Sequence, residues 1–210
     1  MKPKITIVDY GVGNLQSLKK AFAHFGVDAL VSEDAKEIEA SDAIVLPGVG
    51  SFEAGIRGLK IRGLIGAVQA FAASGKPMLG ICLGAQLLLE KGHEFGVFDG
   101  LGIIEGEVVH FDQTAVKEKI PEVGWNAVYP PADVSWKGGI LDSQEQPLMY
   151  FTHSYIFAPR RKESIFGLTT YGGAEYCSVI RKGNVYGCQF HPEKSGEAGL
   201  RLIEKFIQLS

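Results

Sequence analysis

The sequence predicts an α/β protein in which a parallel sheet carries helices on both faces and an antiparallel region follows. In the first half, short apolar runs alternate with amphipathic segments, which is the pattern of repeated strand–helix units. The second half holds several strand-like runs in succession, and one amphipathic helix ends the sequence. Glycine accounts for 27 of the 210 residues, which suits many tight turns between strands and helices.

The first half divides into alternating strands and helices. Four short apolar runs predict strands at 5–9, 28–31, 42–47 and 77–81. Helices are predicted at 14–25, over a longer stretch at 52–73, and at 85–91 directly after the fourth strand. This order favours a central parallel sheet.

The second half is predicted to be mostly strand. Strand-like segments lie near 101–111, 124–130, 148–158, 165–172, 175–181 and 184–190. The turn Lys182-Gly183-Asn184 predicts a hairpin, and the polar stretch from Asp112 to Pro121 predicts a loop. Residues 196–208 predict an amphipathic helix that packs back on the sheet. Because no linker or repeat interrupts the pattern, a single domain over residues 1–210 is expected.

Composition narrows the class of protein. A formal charge of −3 argues against nucleic-acid binding as the main role. The three cysteines, Cys82, Cys177 and Cys188, form no disulfide framework, which fits a reducing compartment, and the last two lie in apolar stretches expected in the core. The apolar stretch at 63–89 is interrupted at Gly75-Lys76-Pro77, so no membrane partner is expected. A cytoplasmic protein is therefore expected.

The segment Gly80-Ile81-Cys82-Leu83-Gly84 carries the clearest chemical signal. It lies between a predicted strand and a predicted helix, and glycine on both sides is typical of a tight nucleophile elbow. The free N–H groups and positive end of the following helix favour thiolate over thiol at Cys82. In such an elbow the N–H of Leu83 would point at an oxyanion that forms on an attacked carbonyl.

A second motif, His191-Pro192-Glu193, follows the last predicted strand. A histidine base with an orienting carboxylate completes the parts of a cysteine nucleophile triad. Taken alone, Cys82 would more often be a buried structural cysteine, and only the combination favours catalysis. No further cysteine or histidine cluster completes a zinc site, so no metal is expected.

Other glycine-rich turns fall where a site is expected. The segments at 9–14 and 47–52, like Cys82, follow predicted strands, and sites in open α/β sheets form at strand carboxyl ends. Gly48-Val49-Gly50 suggests N–H donors for an oxyanion or a carboxylate. Gly11-Val12-Gly13 lacks the third glycine of a dinucleotide fingerprint, since Gln16 stands there, so no nucleotide cofactor is expected.

These motifs resemble those of a known family. G-I-C-L-G-x-Q, H-P-E and P-G-V-G resemble the class I (triad) glutamine amidotransferases, which have a flavodoxin-like α/β fold. D-Y-G-x-G-N-L-x-S, P-G-V-G-S-F, G-W-N, Y-F-x-H-S-Y and Q-F-H-P-E-K-S narrow the resemblance to the amidotransferase subunits of imidazole glycerol phosphate synthases, in histidine biosynthesis. The motifs run from Asp9 to Ser195. Two departures, at Cys188 and Gly196, touch no triad position.

The resemblance implies glutamine hydrolysis. Cys82 would attack the side-chain amide, His191 would protonate the departing ammonia and then activate water, and Glu193 would hold the imidazole. It also implies substrate-binding or oxyanion roles for a further set of residues: Val49, Gly50, Leu83, Gln86, His153, Ser154 and Tyr155.

The resemblance also implies a partner. A separate cyclase subunit would take the ammonia through an internal channel and make imidazole glycerol phosphate and an aminoimidazole carboxamide ribotide (AICAR). Asn14, Tyr150 and Lys194 match positions near that interface, and the assembly would be a heterodimer. No nucleotide cofactor and no metal are implied.

Three alternatives remain open. The chain could serve another acceptor, such as one in an anthranilate or pyridoxal pathway, although the Asp9–Ser17 motif argues against this. It could be a general cysteine hydrolase, or a docking subunit with an idle triad. For the amidotransferase we also hypothesise how its activity is regulated. Gly48 and Gly50 leave the peptide beside Val49 free to rotate, and the oxyanion donor aligns only when partner and acceptor bind.

Overall fold

The computed structural model describes residues 2–210. Its strands are β1 (Ile5–Val8), β2 (Leu30–Ser32), β3 (Ala43–Leu46), β4 (Met78–Ile81), β5 (Lys91–Gly92), β6 (Phe98–Asp99), β7 (Gly106–His110), β8 (Glu122–Ala127), β9 (Leu148–His153), β10 (Tyr155–Pro159), β11 (Ile165–Tyr171), β12 (Ala174–Lys182) and β13 (Val185–Cys188). Its α-helices are α1 (Leu15–His24), α2 (Ala35–Glu39), α3 (Phe52–Ile61), α4 (Ile65–Ala73), α5 (Leu83–Gln86) and α6 (Gly196–Gln208). Short 3₁₀ turns lie at Phe111–Gln113, Lys162–Ser164 and Pro192–Lys194.

Eleven strands form one sheet in which a parallel half continues into a largely antiparallel half. The parallel half has the order β2-β1-β3-β4-β13, and the sheet continues through β12, β10, β7, β5 and β6, while β11 pairs with β12. Strands β8 and β9 form a separate antiparallel ribbon. The predicted fold class, a central parallel sheet with an added antiparallel region, is confirmed.

Helices cover both faces of the parallel half, as predicted. Alternate side chains of its strands enter two separate apolar clusters. Ile5 and Val45 pack with α1 and α6 on one face. Val8 and Ile44 pack on the other face with α2, α3, α4 and α5. Because both faces are covered, the central strands read as continuous apolar runs rather than as alternating ones.

The stretch at 52–73 is two helices rather than one. Helix α3 ends at its C-cap Arg62, and Gly63 then takes a φ of +66°, in the left-handed region that glycine enters without strain. The amide of Leu64 donates to Leu59 O at 2.9 Å, which closes the helix end before α4 begins. Helix α2 was not predicted, because five residues carry too little periodicity to be recognised.

Helix α5 is shorter than predicted and lies earlier, at Leu83–Gln86 instead of 85–91. The carbonyls that would continue it are used by a later segment of the chain. Leu87 O accepts from the amide of Leu101 at 2.8 Å, and Leu88 O accepts from the amide of Ile103 at 2.9 Å. These partners are distant in sequence, so local periodicity could not reveal them.

The segment at 148–158, predicted as one strand, is two strands in different sheets. Strand β9 pairs with β8 in the ribbon, while β10 lies between β12 and β7 in the main sheet. The chain crosses at Ser154, whose carbonyl accepts from the amide of Phe111 at 3.0 Å. This crossing places residues 153–155 beside the carboxyl end of the parallel half.

Most of the remaining predictions for the second half are confirmed within a few residues, but the strand predicted near 101–111 begins only at Gly106. Strands β12 and β13 form the predicted hairpin around Gly183, whose φ is +59°. Helix α6 spans Gly196–Gln208, as predicted, and buries Leu202 and Phe206 against the sheet. Over residues 2–210 none of the helices has the length and apolarity needed to cross a bilayer.

Candidate active site

Cys82 occupies a sharp turn between β4 and α5. Its φ of 51° and ψ of −111° are unusual for a residue with a side chain, and strained backbone of this kind is typical of a nucleophile elbow. The Cys82 amide donates to Cys188 O at 2.7 Å, so β13 holds the turn from the side. The side chain therefore stands at the carboxyl edge of the parallel strands.

The two glycines that flank Cys82 are required by close packing. A Cβ on Gly84 would lie 1.8 Å from Leu46 O, and one on Gly80 would lie 2.7 Å from Ala85 Cα. Real Cβ atoms essentially never approach other atoms this closely. Glycine at these positions lets the elbow rest directly on the backbone of β3 and of α5.

His191 and Glu193 form a buried pair beside the elbow. His191 Nδ1 lies 2.9 Å from Glu193 Oε1, and the two side chains are only 2% and 3% exposed. The His191 amide donates to Tyr150 O at 2.9 Å, which fixes the backbone of the histidine to β9. Among the described residues, the buried His191 Nε2 has no hydrogen-bond partner, so its capacity for a hydrogen bond is unused in this structure.

The surroundings of His191 favour its charged form. Burial lowers the pKa of the imidazole, but the Cys82 sulfur and the Glu193 carboxylate raise it more, and the pKa stands at about 9 instead of 6.5. At neutral pH the ring therefore carries both protons. A protonated imidazole beside a sulfur nucleophile can donate a proton to a departing amine.

A cavity of about 430 Å³ brings most of the predicted site residues together. Cys82 and His191 share its wall with Val49 and Gly50 of the turn after β3. Further wall is formed by the predicted residues that follow the elbow and cross between the sheets: Leu83, Gln86, His153, Ser154 and Tyr155. Glu193 instead lies behind the imidazole, where it lines a separate surface pocket beside α1.

Gln86 belongs to a chain of amides under the cavity. Its Nε2 lies 3.1 Å from Gln189 Oε1 and 3.3 Å from Tyr155 O. Gln189 Nε2 in turn lies 3.7 Å from Cys82 Sγ. Sequence reasoning did not single out Gln189, although it precedes His191 by two residues and is fully buried despite its polar side chain.

Glu94 is a cavity residue that sequence reasoning missed. Its Oε2 accepts from the amide of Phe52 at 2.7 Å, so the carboxylate faces the positive end of α3. Burial and the Glu94 charge both raise the pKa of Tyr155, another residue of the same wall. A carboxylate in this place suits a cationic group of a ligand. Phe95, His110 and Thr152 also line the cavity and were not predicted.

His153 is a lining residue of the cavity, although its ring is buried at 2% exposure. Nδ1 of the ring lies 2.9 Å from Tyr155 O, a carbonyl that can only accept, so Nδ1 carries a proton. Nε2 faces the fully buried carboxylate of Glu122 at 3.4 Å. Glu122 also accepts from the hydroxyl of Tyr176 at 2.8 Å. Sequence reasoning missed Glu122, whose carboxylate holds the His153 ring, and this ring in turn contacts the Tyr155 carbonyl of the cavity wall.

The two glycines of the turn after β3 have different roles. A Cβ on Gly48 would lie 2.5 Å from the hydroxyl oxygen of Tyr10 and 2.9 Å from the amide nitrogen of Gly84, so Gly48 is needed for close packing. Gly50 has a φ of +109°, and a Cβ there would meet no atom of residues 2–210 within 4 Å. The expected freedom of the peptide beside Val49 stays a prediction, with close packing on the Gly48 side and open space on the Gly50 side.

A comparison with protein-family models identifies the chain. The model for glutamine amidotransferase class-I matches residues 6–209. The chain belongs to the class I glutamine amidotransferase family. The matched range includes the elbow cysteine and nearly all of the sheet described above.

Relatives of this amidotransferase chain match it over nearly its full length. The imidazole glycerol phosphate synthase subunit HisH 1 of Legionella pneumophila strain Lens is 44% identical, over 98% of this chain and 99% of that protein. The subunit HisH of Rhodopirellula baltica is 46% identical, over 96% of each. A solved structure of PurLQS from Thermotoga maritima superposes with a TM-score of 0.73, covering 99% of each chain, at 17% identity, which speaks for the fold alone.

The three residues expected at a partner interface lie outside the cavity of this amidotransferase. Asn14 is exposed and caps α1, where its side chain accepts from the amide of Ser17 at 3.3 Å. Lys194 Nζ lies 5.9 Å from the ring centre of Tyr150, and this ring lies 4.9 Å from that of Trp125. Tyr150 and Trp125 belong to one face of the ribbon, which we call the ribbon face and define by four residues: Val123, Trp125, Leu148 and Tyr150.

The other two cysteines lie in the core, as predicted. Cys177 and Cys188 are buried free thiols, and burial raises the pKa of each well above its usual value. They are therefore poor nucleophiles at neutral pH. Residues 2–210 contain no group of three or more histidine, cysteine, aspartate or glutamate side chains arranged to hold a metal ion.

Proposed function

We propose that the chain is the glutamine-hydrolysing subunit of an imidazole glycerol phosphate synthase, and that it supplies ammonia to a separate cyclase subunit in histidine biosynthesis. The observation that carries the proposal is the meeting of Cys82 and His191 in one cavity, with Glu193 behind the imidazole. The relatives named HisH add support, because they match over at least 96% of the chain. Residues 1–210 would act as one amidotransferase domain of a cytoplasmic heterodimer, in keeping with three free thiols.

The first half-reaction forms a thioester. The Cys82 thiolate attacks the side-chain carbonyl carbon of glutamine, and the negative charge moves to the carbonyl oxygen. The N–H of Leu83 and the Val49–Gly50 peptide are the donors that we propose for this oxyanion. His191, protonated at neutral pH because its pKa is about 9, gives its Nε2 proton to the nitrogen, so the C–N bond breaks and ammonia leaves.

The second half-reaction releases glutamate. The neutral His191 now accepts a proton from water, whose oxygen attacks the thioester carbon. The C–S bond breaks, and the thiolate and the imidazolium are restored together. Glu193 stabilises the imidazolium at both stages through its contact at 2.9 Å, and it keeps Nε2 turned toward the reacting atoms.

Recognition of glutamine would use opposite charges in the wall of the cavity. Glu94 offers a carboxylate for the α-ammonium group. The backbone of residues 153–155 and of Gly50 would hold the α-carboxylate through N–H donors, and Gln86 would contact the side chain of the substrate. No cofactor and no metal take part in this scheme.

The ribbon face supports a protein partner. Val123, Trp125 and Leu148 are each about 60% exposed, although large apolar side chains are usually buried. With Lys194 and Asn14 they would form the contact to the cyclase subunit. A bound partner would let the ammonia reach its acceptor before it is diluted in water. The proposed function involves neither a nucleic acid nor a membrane as a partner.

The proposal is tested by removing the thiol. The full chain is combined with the cyclase subunit and its nucleotide ligand, and glutamate release is measured for the wild type, Cys82→Ala and the buried control Cys177→Ala. We expect the control to match the wild type and Cys82→Ala to release no glutamate. Appreciable hydrolysis by Cys82→Ala would remove the cysteine from the mechanism.

The acceptor and the control step need separate tests. Complementation of a histidine auxotroph is expected, and a chain that hydrolyses glutamine but fails to complement serves another acceptor.

We also propose that the Gly50 side of the turn moves to align the oxyanion donor when the partner binds. Equal glutamine turnover by the isolated chain and by the complex would contradict this last point.

A further inference from the structure

Ser195 stands at the N-cap of α6 but does not cap it. Serine is favoured at this position because its oxygen accepts from an amide in the first helical turn, which is worth about 1 kcal/mol. Within the described chain Ser195 makes no such bond. Its hydroxyl instead donates to His191 O at 2.6 Å and accepts from the amide of Tyr150 at 2.9 Å. A local stabilisation of the helix is given up for a contact with the catalytic segment.

The diverted hydroxyl completes a closed set of hydrogen bonds around the His191 backbone. The His191 amide donates to Tyr150 O at 2.9 Å, so both backbone groups of the histidine are tied to Tyr150, one directly and one through Ser195. Ser195 itself is only 5% exposed. The imidazole is held separately by Glu193. Backbone and ring are therefore fixed by different partners.

Tyr150 also belongs to the ribbon face. Its ring lies 4.9 Å from Trp125 and 5.9 Å from Lys194 Nζ, on the surface proposed to meet the partner. The backbone of the same residue holds His191. A shift of β9 on docking would consequently move the histidine relative to the elbow, and Ser195 is the side chain that joins the two segments.

We propose that Ser195 is a positioning residue whose hydroxyl holds the His191 backbone to strand β9 and thereby sets the place of the imidazole beside Cys82. In its effect on rate, this inference rests on the proposed glutaminase function. Ser195 lies beneath the catalytic segment and not in the wall of the cavity, so it acts through His191 rather than on the substrate. Its loss should lower kcat and leave KM for glutamine nearly unchanged.

The test compares two buried serines that make the same local bond. In Ser195→Ala the hydroxyl bond to the carbonyl four residues earlier is lost. In the control Ser41→Ala the equivalent bond, from Ser41 Oγ to Glu37 O at 2.7 Å, is lost at the opposite end of β3 from the site. The third variant, Ser195→Thr, keeps a hydroxyl. Each full chain is assayed with the cyclase subunit for kcat and KM, and its melting temperature is recorded.

We expect Ser195→Ala to lower kcat about tenfold, the loss that corresponds to one hydrogen bond of ordinary strength. The KM should change by less than about twofold, Ser195→Thr should recover most of kcat, and Ser41→Ala should keep the wild-type kcat despite a similar loss of stability. Should Ser195→Ala not fold, Ser195→Cys fills the same space with a weak donor and is held to the same expectation.

A second measurement needs no turnover. The imidazole of His191 is titrated by NMR in each variant, because its raised pKa depends on its place between Cys82 and Glu193. In Ser195→Ala the pKa should fall from about 9 toward 6.5, and in Ser41→Ala it should stay. An unchanged titration with unchanged kcat in folded Ser195→Ala, or equal losses in both alanine variants, would overturn the inference. A wild type that releases no glutamate would instead refute the proposed function, and the titration would still decide the role of Ser195.

Discussion

Replacing Gly84 with alanine tests whether close packing against β3 shapes the elbow. The new Cβ would lie 1.8 Å from Leu46 O, and atoms in real proteins essentially never come closer than 3.0 Å to a Cβ. The gap must therefore open by 1.2 Å, the difference between these two distances. Neither atom can turn away, because one is a backbone oxygen within β3 and the other is attached to the backbone of α5. The elbow that carries Cys82 has to move.

The size of the effect follows from this displacement. Forcing atoms into a packed core costs about 1–3 kcal/mol and occasionally more, and a backbone overlap belongs at the upper end. A misplacement of about 1 Å near reacting atoms lowers turnover about 100-fold. The matched control is Gly66→Ala in α4, where a Cβ would meet no atom of residues 2–210 within 4 Å. That change should stabilise the chain by about 0.5–1 kcal/mol.

Both quantities are measured on the same samples. Urea unfolding followed by circular dichroism gives the free energy of unfolding, and glutamate release in the presence of the cyclase subunit gives kcat. We expect Gly84→Ala to lose about 3 kcal/mol or more and most of its activity, while Gly66→Ala gains stability and keeps its activity. A Gly84→Ala chain with wild-type unfolding and wild-type turnover would refute the reasoning.

Three further predictions concern charge and surface. Because the pKa of His191 is raised from 6.5 to about 9, its protonation stabilises the folded chain by at most about 3 kcal/mol, and this stability is fully present below pH 6.5 and lost as the pH rises through 9. Glu193→Gln should make this loss smaller when urea unfolding is measured at a series of pH values. A pH profile equal to that of the wild type would contradict the prediction. Glu94→Gln keeps an acceptor for the Phe52 amide but removes the charge, so KM for glutamine should rise at least about tenfold with kcat nearly kept, whereas an unchanged KM would exclude Glu94 from binding the ammonium group. Trp125→Ala should weaken binding of the cyclase subunit by at least about tenfold in calorimetry without lowering the melting temperature, since the side chain is 60% exposed, and equal affinity would remove the ribbon face from the interface.

Local pattern was sufficient to predict those elements whose burial, on one face or on both, is visible in the spacing of their apolar residues. The apolar runs of β1, β3 and β4 are continuous because helices cover both sides of them, and this is visible in sequence. Helix α6 was predicted over its observed span because its apolar stripe has a clear helical period. The elbow glycines were also recognisable, since a tight strand-to-helix turn around a nucleophile has a fixed residue pattern.

The local sequence pattern was insufficient to predict the ends and pairing of an element wherever distant segments form hydrogen bonds with its backbone groups. The carbonyls of Leu87 and Leu88 accept from the amides of Leu101 and Ile103, so α5 ends early. The run at 148–158 has uniform strand character, yet the pairing partners on its two halves lie in different sheets. Neither outcome depends on the local residues alone.

The sequence by itself determined the fold class, the place of the Cys82 elbow and the identity of the His191 and Glu193 pair. These features are set by short-range periodicity and by residue types that only one backbone geometry accommodates. Only the tertiary structure shows which further side chains lie in or beside the cavity. Glu94, Glu122 and Ser195 each accept a hydrogen bond from a residue far away along the chain, Ser195 in place of capping its own helix, and only the packing of the whole sheet brings those partners within hydrogen-bond distance.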